Sequence, residues 1–257
     1  MSGVRVLTRP SDVIYVYDGS FDGFLCCVHE SVYKRELPSE ICREENAPLT
    51  MLETRFIKTD AVLASAVASS IPGRLSTRVE ELVNTVFLSC LEQKELRLLT
   101  FLLRAYNEGR KLVYSLGDKD VAPLLGAEKH LLGEAHLLKG FIRFADVGGA
   151  LVSTITPKNY VLPFIAEHFL MRYRRENFLI FDKTNKAALT YQSGRVEIIS
   201  VDNIEFPEIT EGERQYQELW KRFYDTIAIE SRINPRCRMT HMPKRYWENM
   251  LEVRGLL

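Results

Sequence analysis

The stretch HLLKGFIRFADVGGALVSTI, residues 136–155, marks the change from a helical first half of the chain to a β-rich second half. Upstream of it, apolar residues recur at the three- and four-residue spacing of helices. Downstream, short runs of β-branched and aromatic residues alternate with turn residues. The segment Asp146-Val147-Gly148-Gly149 is typical of a hairpin turn between strands over 141–145 and 150–155. We therefore predict a helix over 127–139 that Gly140 closes, followed by a β-hairpin.

The first half begins with a predicted strand over residues 13–17, which are β-branched and aromatic. Ser20 or Asp18 can then cap a helix over residues 21–34. From Asp60, which can cap the next helix, the pattern stays helical as far as residue 136. We expect residues 60–136 to form an inserted helical subdomain.

The second half predicts a helix over 160–174, strands over 177–181, 187–191 and 196–201, and a long helix over 211–229. Together the two halves predict one α+β domain over residues 1–257. In it, helices pack on a mostly antiparallel sheet. That predicted sheet contains residues 14–17, 141–145, 150–155, 177–181 and 187–191.

Composition limits the classes of function. The 34 basic residues balance 34 acidic residues, so the chain is not built to coat nucleic acid non-specifically. Five scattered cysteines include no C-x-x-C pair, which predicts reduced thiols in the cytoplasm and neither a zinc ribbon nor a redox dithiol. No apolar run reaches the roughly 18 residues that span a bilayer, and no signal peptide is evident. The phosphate-binding loop of P-loop ATPases is missing as well.

A first candidate site lies at the predicted junction of helix and strand. His136 and Lys139 are three residues apart and share a helix face, and Arg143 follows in the predicted strand. A guanidinium fork, an ammonium and an imidazole together suit a phosphate group. The alternative is that these side chains form a hydrogen-bonded support for the sheet.

A second candidate is the pair His168 and Arg172, which are four residues apart on the predicted helix. A histidine on an otherwise apolar helix is more often a satisfied core residue than a ligand. A metal site formed by His136, His168 and Asp182 is conceivable. However, its ligands would come singly from different segments, so we expect neither a metal nor another cofactor.

A third candidate is the C-terminal segment, residues 231–257, in which basic and aromatic residues are interleaved. Its basic residues are Arg232, Arg236, Arg238, Lys244, Arg245 and Arg254. Together with Tyr246 and Trp247 they suit single-stranded or distorted DNA, through phosphate contacts and base stacking. The alternative is a segment that docks on the domain through Met242, Tyr246 and Trp247, with its arginines in solvent.

Several of these pieces resemble an uncharacterised bacterial family described as DNA-metabolism proteins. The matching pieces are Tyr15-Val-Tyr17-Asp18-Gly19-Ser20-Phe21-Asp22-Gly23-Phe24, His136-x-x-Lys139-Gly140-Phe141-x-Arg143-Phe144, Ile155-x-Pro157, His168-Phe169-x-x-Arg172, Ile180-x-Asp182 and Met242-Pro243-Lys244-Arg245-Tyr246-Trp247. The resemblance implies a setting in DNA metabolism. In that family the domain is fused to uracil-DNA-glycosylase-like proteins, or accompanies a radical-SAM protein linked to DNA repair.

The resemblance and the basic segment favour a cytoplasmic accessory protein of DNA repair that binds DNA, a partner repair enzyme, or both. The alternative is an enzyme acting on a nucleic acid or nucleotide. In it, His136 (or His168) would serve as acid or base, while Lys139 and Arg143 hold a phosphate. A structural subunit of a complex is a third option. No membrane partner is expected, and the sequence leaves open whether the protein is catalytic.

Overall fold

The structure is a computed structural model that describes residues 8–207, 209–229 and 234–253. It is an α+β protein, as the sequence predicts. The chain divides into two compact units, Met1–Leu131 and Leu132–Leu257. The assignment of one domain with a helical subdomain over residues 60–136 stays a prediction.

The first unit combines a small parallel sheet with a group of helices. Its elements are β1 (Arg9–Pro10), β2 (Val13–Tyr17), α1 (Phe21–Lys34), β3 (Glu36–Leu37), β4 (Glu40–Arg43), β5 (Glu53–Phe56), α2 (Ala61–Arg74), α3 (Thr77–Phe87), α4 (Lys94–Glu108) and the start of α5 (Val121–Phe141). The three-stranded sheet has the order β4-β2-β5, with both pairs parallel. The central strand β2 is buried along its whole length. The parallel arrangement follows from α1, which carries the chain back across the sheet between β2 and β4.

The turn between β2 and α1 confirms the predicted cap. Ser20 Oγ accepts a hydrogen bond from Gly23 N at 2.9 Å, and Asp18 Oδ1 accepts one from Ser20 N at 2.9 Å. A side chain at Gly23 would place its Cβ 2.3 Å from Asp18 Oδ1, so it would displace the carboxylate from its hydrogen bond to Ser20 N. Thr59 donates to the other Asp18 oxygen at 2.8 Å. The local sequence therefore fixes how the chain leaves the sheet.

Helices fill residues 61–141 apart from short connections, so the predicted helical character of this region is confirmed. α5 nevertheless differs at both ends from its predicted range of 127–139. It begins at Val121 and runs through Pro123 and Gly126; Pro123 lies in the first turn, where proline is tolerated. Gly140 does not close it either, since α5 continues to Phe141 and Ile142 N donates to Leu138 O at 3.0 Å.

The prediction of a strand over residues 141–145 is therefore wrong. Leu138 and Ile142 are four residues apart, and both are buried in the core of the second unit. The apolar run is thus the end of an amphipathic helix, a case in which a short apolar run does not separate helix from strand. The strand begins only at Ala145, which lies opposite Val152.

The second unit is built on a five-stranded mixed sheet. Its elements after α5 are β6 (Ala145–Val147), β7 (Ala150–Ile155), α6 (Leu162–Arg172), β8 (Asn177–Asp182), β9 (Ala187–Gln192), β10 (Arg195–Ser200), α7 (Glu211–Ile227) and α8 (Pro235–His241). A short 3₁₀ helix, Lys244–Asn249, follows. The strand order is β10-β9-β8-β7-β6.

The prediction of one mostly antiparallel sheet is only partly right. The pairs β6–β7, β8–β9 and β9–β10 are antiparallel, but β7 and β8 are parallel because α6 connects them. Residues 14–17 were expected in the same sheet, whereas they lie in the separate parallel sheet of the first unit. Among the described residues, no helix is long and apolar enough to cross a membrane.

Candidate functional site

The predicted patch of His136, Lys139 and Arg143 is only partly assembled. His136 and Lys139 lie on the last turns of α5, where His136 is exposed and Lys139 is half-buried. Arg143 follows the helix in an irregular connection, not in the predicted strand. The predicted helix-to-strand junction is therefore absent at Arg143, and a phosphate-binding role for the three side chains stays a prediction.

Arg143 instead ties the end of α5 to the C-terminal part of the second unit. Its Nη2 donates to Glu252 Oε1 at 2.6 Å, and the Glu252 side chain is only 3% exposed. Its Nη1 donates to Gly140 O at 2.7 Å, which occupies a free carbonyl at the helix end. The guanidinium also lies 6.0 Å from the ring centroid of Trp220. These contacts match the alternative interpretation of Arg143 as a structural support.

A different group of basic side chains does come together. The pKa of His168 lies below its usual value, because burial disfavours the imidazolium and because Lys139 and Arg172 add positive charge nearby. Lys139 comes from α5 and the other two residues from α6. We call Lys139, His168 and Arg172 the cationic cluster. The sequence predicted the pair on α6, and the fold adds Lys139 to it.

The cationic cluster lacks partners for its polar groups. His168 Nε2 is buried and has no hydrogen bond to any described residue, while the imidazole and Phe169 rings meet edge to face with centroids 4.9 Å apart. Neither Lys139 nor Arg172 forms an ion pair with an acidic residue in the described part of the chain. The guanidinium of Arg172 lies over the ring of Tyr173, 5.8 Å from its centroid. The arrangement therefore offers donors to an anion from outside.

Two further arginines extend this surface beyond the end of α6. Arg172, Arg174 and Arg175 line an open cavity of 540 Å³, together with Leu151, Tyr173 and Glu176. All three arginine side chains are exposed. A run of fork-shaped donors beside an aromatic ring can bind several phosphate oxygens at once.

The C-terminal segment is docked through its aromatic residues. Tyr246 is 2% exposed and Trp247 is 4% exposed, and both lie in the core of the second unit. Trp247 Nε1 donates to Met242 O at 2.9 Å, and the ammonium of Lys244 lies 5.8 Å from the Trp247 ring centroid. The burial of both rings matches the alternative of a docked segment, and a role in base stacking stays a prediction. Arg232 and Arg254 lie outside the described residues.

Arg245 is part of a buried network that the sequence did not reveal. It donates to Glu134 Oε1 at 2.7 Å, and the Glu134 side chain is 1% exposed. The same carboxylate accepts hydrogen bonds from Tyr246 Oη, Lys158 N and Asn159 N, at 2.9, 3.0 and 2.8 Å. Burial raises the pKa of Glu134, but these hydrogen bonds outweigh it, so the net shift is downward. Glu134 thus stays ionised. Its hydrogen bonds link α5 to residues 158–159 and to residues 245–246 of the C-terminal segment.

Asp182, at the end of β8, is another buried carboxyl group of this unit. Burial raises its pKa to about 6, and the nearby charge of Glu134 adds to the shift. Its oxygens accept hydrogen bonds from Asn185 N at 3.0 Å and from Asn185 Nδ2 at 2.7 Å. The described residues contain no group of three or more His, Cys, Asp or Glu side chains placed to hold a metal ion.

The raised pKa of Asp182 predicts a pH-dependent stability. The folded state keeps a proton that the unfolded chain releases near pH 4, so this residue stabilises the fold at low pH and the contribution is lost as pH rises through about 6. We expect the stability of the wild type relative to Asp182→Asn to fall by up to about 1.4 kcal/mol per pH unit between pH 4 and 6. Urea unfolding of both proteins across this range measures it. A relative stability that rises with pH would show that the charged form is the one stabilised.

Comparison with known proteins places the chain in a family. Residues 92–252 match the family model DUF4130, described as a domain of unknown function, and the chain belongs to that family. The matched range contains the cationic cluster and the Glu134 network. No curated protein and no solved structure matches the chain.

Proposed function

We propose that this protein is an accessory protein of DNA metabolism that binds single-stranded or distorted DNA through the cationic cluster. The observation that supports the proposal is the absence of any acidic partner, in the described part of the chain, for Lys139 and Arg172 beside the unpartnered His168 Nε2. Like charges held close together destabilise a fold unless something neutralises them. A bound phosphate would supply that neutralisation.

The position of the cations fits a phosphate chain better than a purely structural role. A cation in the last turn of a helix, such as Arg172, gains about 0.3–1 kcal/mol from the helix dipole. Lys139 lies in the last turn of α5 and gains likewise from the dipole of that helix, but neither dipole accounts for the two cations lying beside one histidine. The exposed Arg174 and Arg175 continue the same surface, so successive phosphates of one strand could be bound.

The wider setting rests on the sequence pieces shared with DNA-metabolism proteins. We propose a cytoplasmic protein that works beside a radical-SAM or uracil-DNA-glycosylase-like repair enzyme. Cys26, Cys27, Cys42 and Cys237 are free thiols, which is consistent with a reducing compartment.

A second candidate function is an enzyme acting on a nucleic acid or nucleotide. It is favoured by His168, whose lowered pKa and unpartnered Nε2 would suit a neutral general base beside two phosphate-binding cations. Arg143, the third member of the predicted site, is occupied by Glu252. A phosphodiesterase or phosphatase activity lost in His168→Ala would support this candidate.

The test of DNA binding compares two double variants that remove the same charge. We expect Lys139→Gln with Arg172→Gln to weaken binding of an oligo(dT) strand at least about tenfold at low salt, because charge-assisted hydrogen bonds to phosphate are lost. The slope of log affinity against log salt should shrink by about 1.4, since each lost phosphate contact contributes about 0.7 for single strands.

The control is Lys221→Gln with Arg222→Gln, at two exposed residues of α7. It should leave affinity and slope close to those of the wild type. Equal weakening in both double variants would mean that affinity follows total charge, and no binding at low salt would exclude DNA as a direct ligand.

A further inference from the structure

The first unit contains a cavity of 240 Å³ that the proposed DNA site does not use. It lies between β4, an edge strand of the parallel sheet, and the first turn of α4. The residues that matter for its chemistry are Arg43, Asn46, Gln93 and Glu95. Arg43 is the last residue of β4, so the cavity extends to the carboxyl end of a parallel strand, where open α/β sheets commonly bind their ligands.

Glu95 provides a buried negative group with an unused oxygen. The residue is 9% exposed, and its Oε1 accepts a hydrogen bond from Tyr17 Oη at 3.0 Å. Its Oε2 has no hydrogen bond to the described residues. This oxygen is not among the fully buried polar atoms, so it can accept a hydrogen bond from a ligand that brings a donor or a positive charge. Glu40, which also lines the cavity, adds a second carboxylate.

Arg43 provides a positive group that is held in place but weakly paired. Its stem passes over Gly19, where a Cβ would lie 3.1 Å from Arg43 Cδ, so the absence of a side chain there leaves room for it. Within the described residues its one ion pair is with Glu45 at 3.9 Å, and that side chain is largely exposed. An ion pair of this length between exposed side chains contributes little to stability. The guanidinium is therefore available for a carboxylate.

Neutral donors surround these two charges. The side-chain amides of Asn46 and Gln93 have no hydrogen bonds within the described residues. Gln93 also leaves the N-terminus of α4 without a side-chain cap, so the N–H groups of its first turn remain to be satisfied. The cavity thus presents one carboxylate oxygen for a cation, and a guanidinium with several N–H donors for an anion.

We propose that this cavity binds a free α-amino acid as its zwitterion. The ammonium of the ligand contacts Glu95 Oε2, and its carboxylate contacts Arg43 and the amide donors. A volume of 240 Å³ is below the roughly 300–1,000 Å³ of sites for drug-sized ligands, which suits an amino acid and is too small for a nucleotide. The pairing of both charges distinguishes this ligand from a phosphate or a simple cation.

The test uses the full-length protein and an equimolar mixture of the twenty L-amino acids, first by thermal shift and then singly by calorimetry. We expect at least one of them to raise the melting temperature and to bind Arg43→Gln or Glu95→Gln at least about tenfold more weakly than the wild type. The control Arg110→Gln removes an exposed arginine elsewhere in the first unit and should bind normally.

Two blocked forms of the best ligand separate the charges. The N-acetyl form lacks the ammonium and the amide form lacks the carboxylate, so each should bind the wild type at least about tenfold more weakly. Acetylation should no longer matter in Glu95→Gln, and amidation should no longer matter in Arg43→Gln. If no amino acid binds, or if either blocked form binds as well as the free amino acid, the proposal is overturned. Should Glu95→Gln fail to fold, the binding of the free and amidated ligands to Arg43→Gln decides the question.

Discussion

Replacing Glu134 with Ala is expected to lower the free energy of unfolding by about 3–5 kcal/mol, the cost of breaking a buried ion pair from one side. The variant would leave the partly buried Arg245 without its carboxylate. It would also remove the acceptor of Tyr246 Oη and of two backbone N–H groups, at Lys158 and Asn159. Each buried donor left without a partner adds a penalty.

Urea unfolding monitored by tryptophan fluorescence measures this loss. Glu167→Ala is the matched control, because Glu167 is an exposed residue of α6. It should change stability by less than about 0.5 kcal/mol. If Glu134→Ala proved as harmless as the control, the network around Glu134 would not hold the second unit together.

Replacing Trp247 with Ala is expected to cost about 3–5 kcal/mol, because it empties a core position of the second unit. Trp247 is 4% exposed and its indole N–H is bonded to Met242 O. The conservative Trp247→Phe should retain much of the packing and leave affinity for single-stranded DNA unchanged. A large stability loss in Trp247→Ala together with unchanged DNA affinity in Trp247→Phe would show that Trp247 anchors the C-terminal segment and does not stack on bases.

Trp220→Ala is the comparison for that experiment, since Trp220 is 40% exposed on α7. We expect it to cost far less than Trp247→Ala, on the order of 1 kcal/mol from loss of the Arg143 contact. A folded Trp247→Phe protein whose DNA affinity fell about tenfold would instead support stacking on Trp247.

Much of the fold is encoded locally and could be predicted. Ser20 and Asp60 cap α1 and α2, as their side chains and positions predict. The hairpin of β6 and β7 is formed by the expected turn at Gly148 and Gly149, both of which have positive φ. The division of strands between two sheets was not predicted. It depends on pairing between strands that are distant in sequence, which no local pattern specifies.

The candidate site could be predicted only in part, for a related physical reason. His168 and Arg172 share a helix face through their spacing alone, whereas the proximity of Lys139 depends on how α5 and α6 pack. Because residues 141–145 were predicted as a strand, Arg143 was expected in one patch with His136 and Lys139. In the structure it contacts Glu252 and Gly140 O. Nothing in the sequence indicated that Glu134 is buried, because a glutamate on a helix usually lies in solvent. Its burial depends on an ion pair with Arg245, which is 111 residues away.

The proposed DNA site requires His168 to lie beside two cations that bind phosphate. The most direct measurement is the titration of its imidazole by NMR, in the free protein and with oligo(dT) bound. In the free protein we expect a pKa below the ordinary value near 6.5, because of burial and because Lys139 and Arg172 repel the added charge. Bound phosphate would neutralise those cations, so the pKa of His168 should rise when DNA binds.

The same linkage requires DNA affinity to increase as pH falls through the pKa of His168 in the complex. This increase should be absent in His168→Gln. A pKa of His168 that does not change on saturation with oligo(dT), in a protein that binds the strand, would contradict the proposed site, because the phosphates would then lie elsewhere.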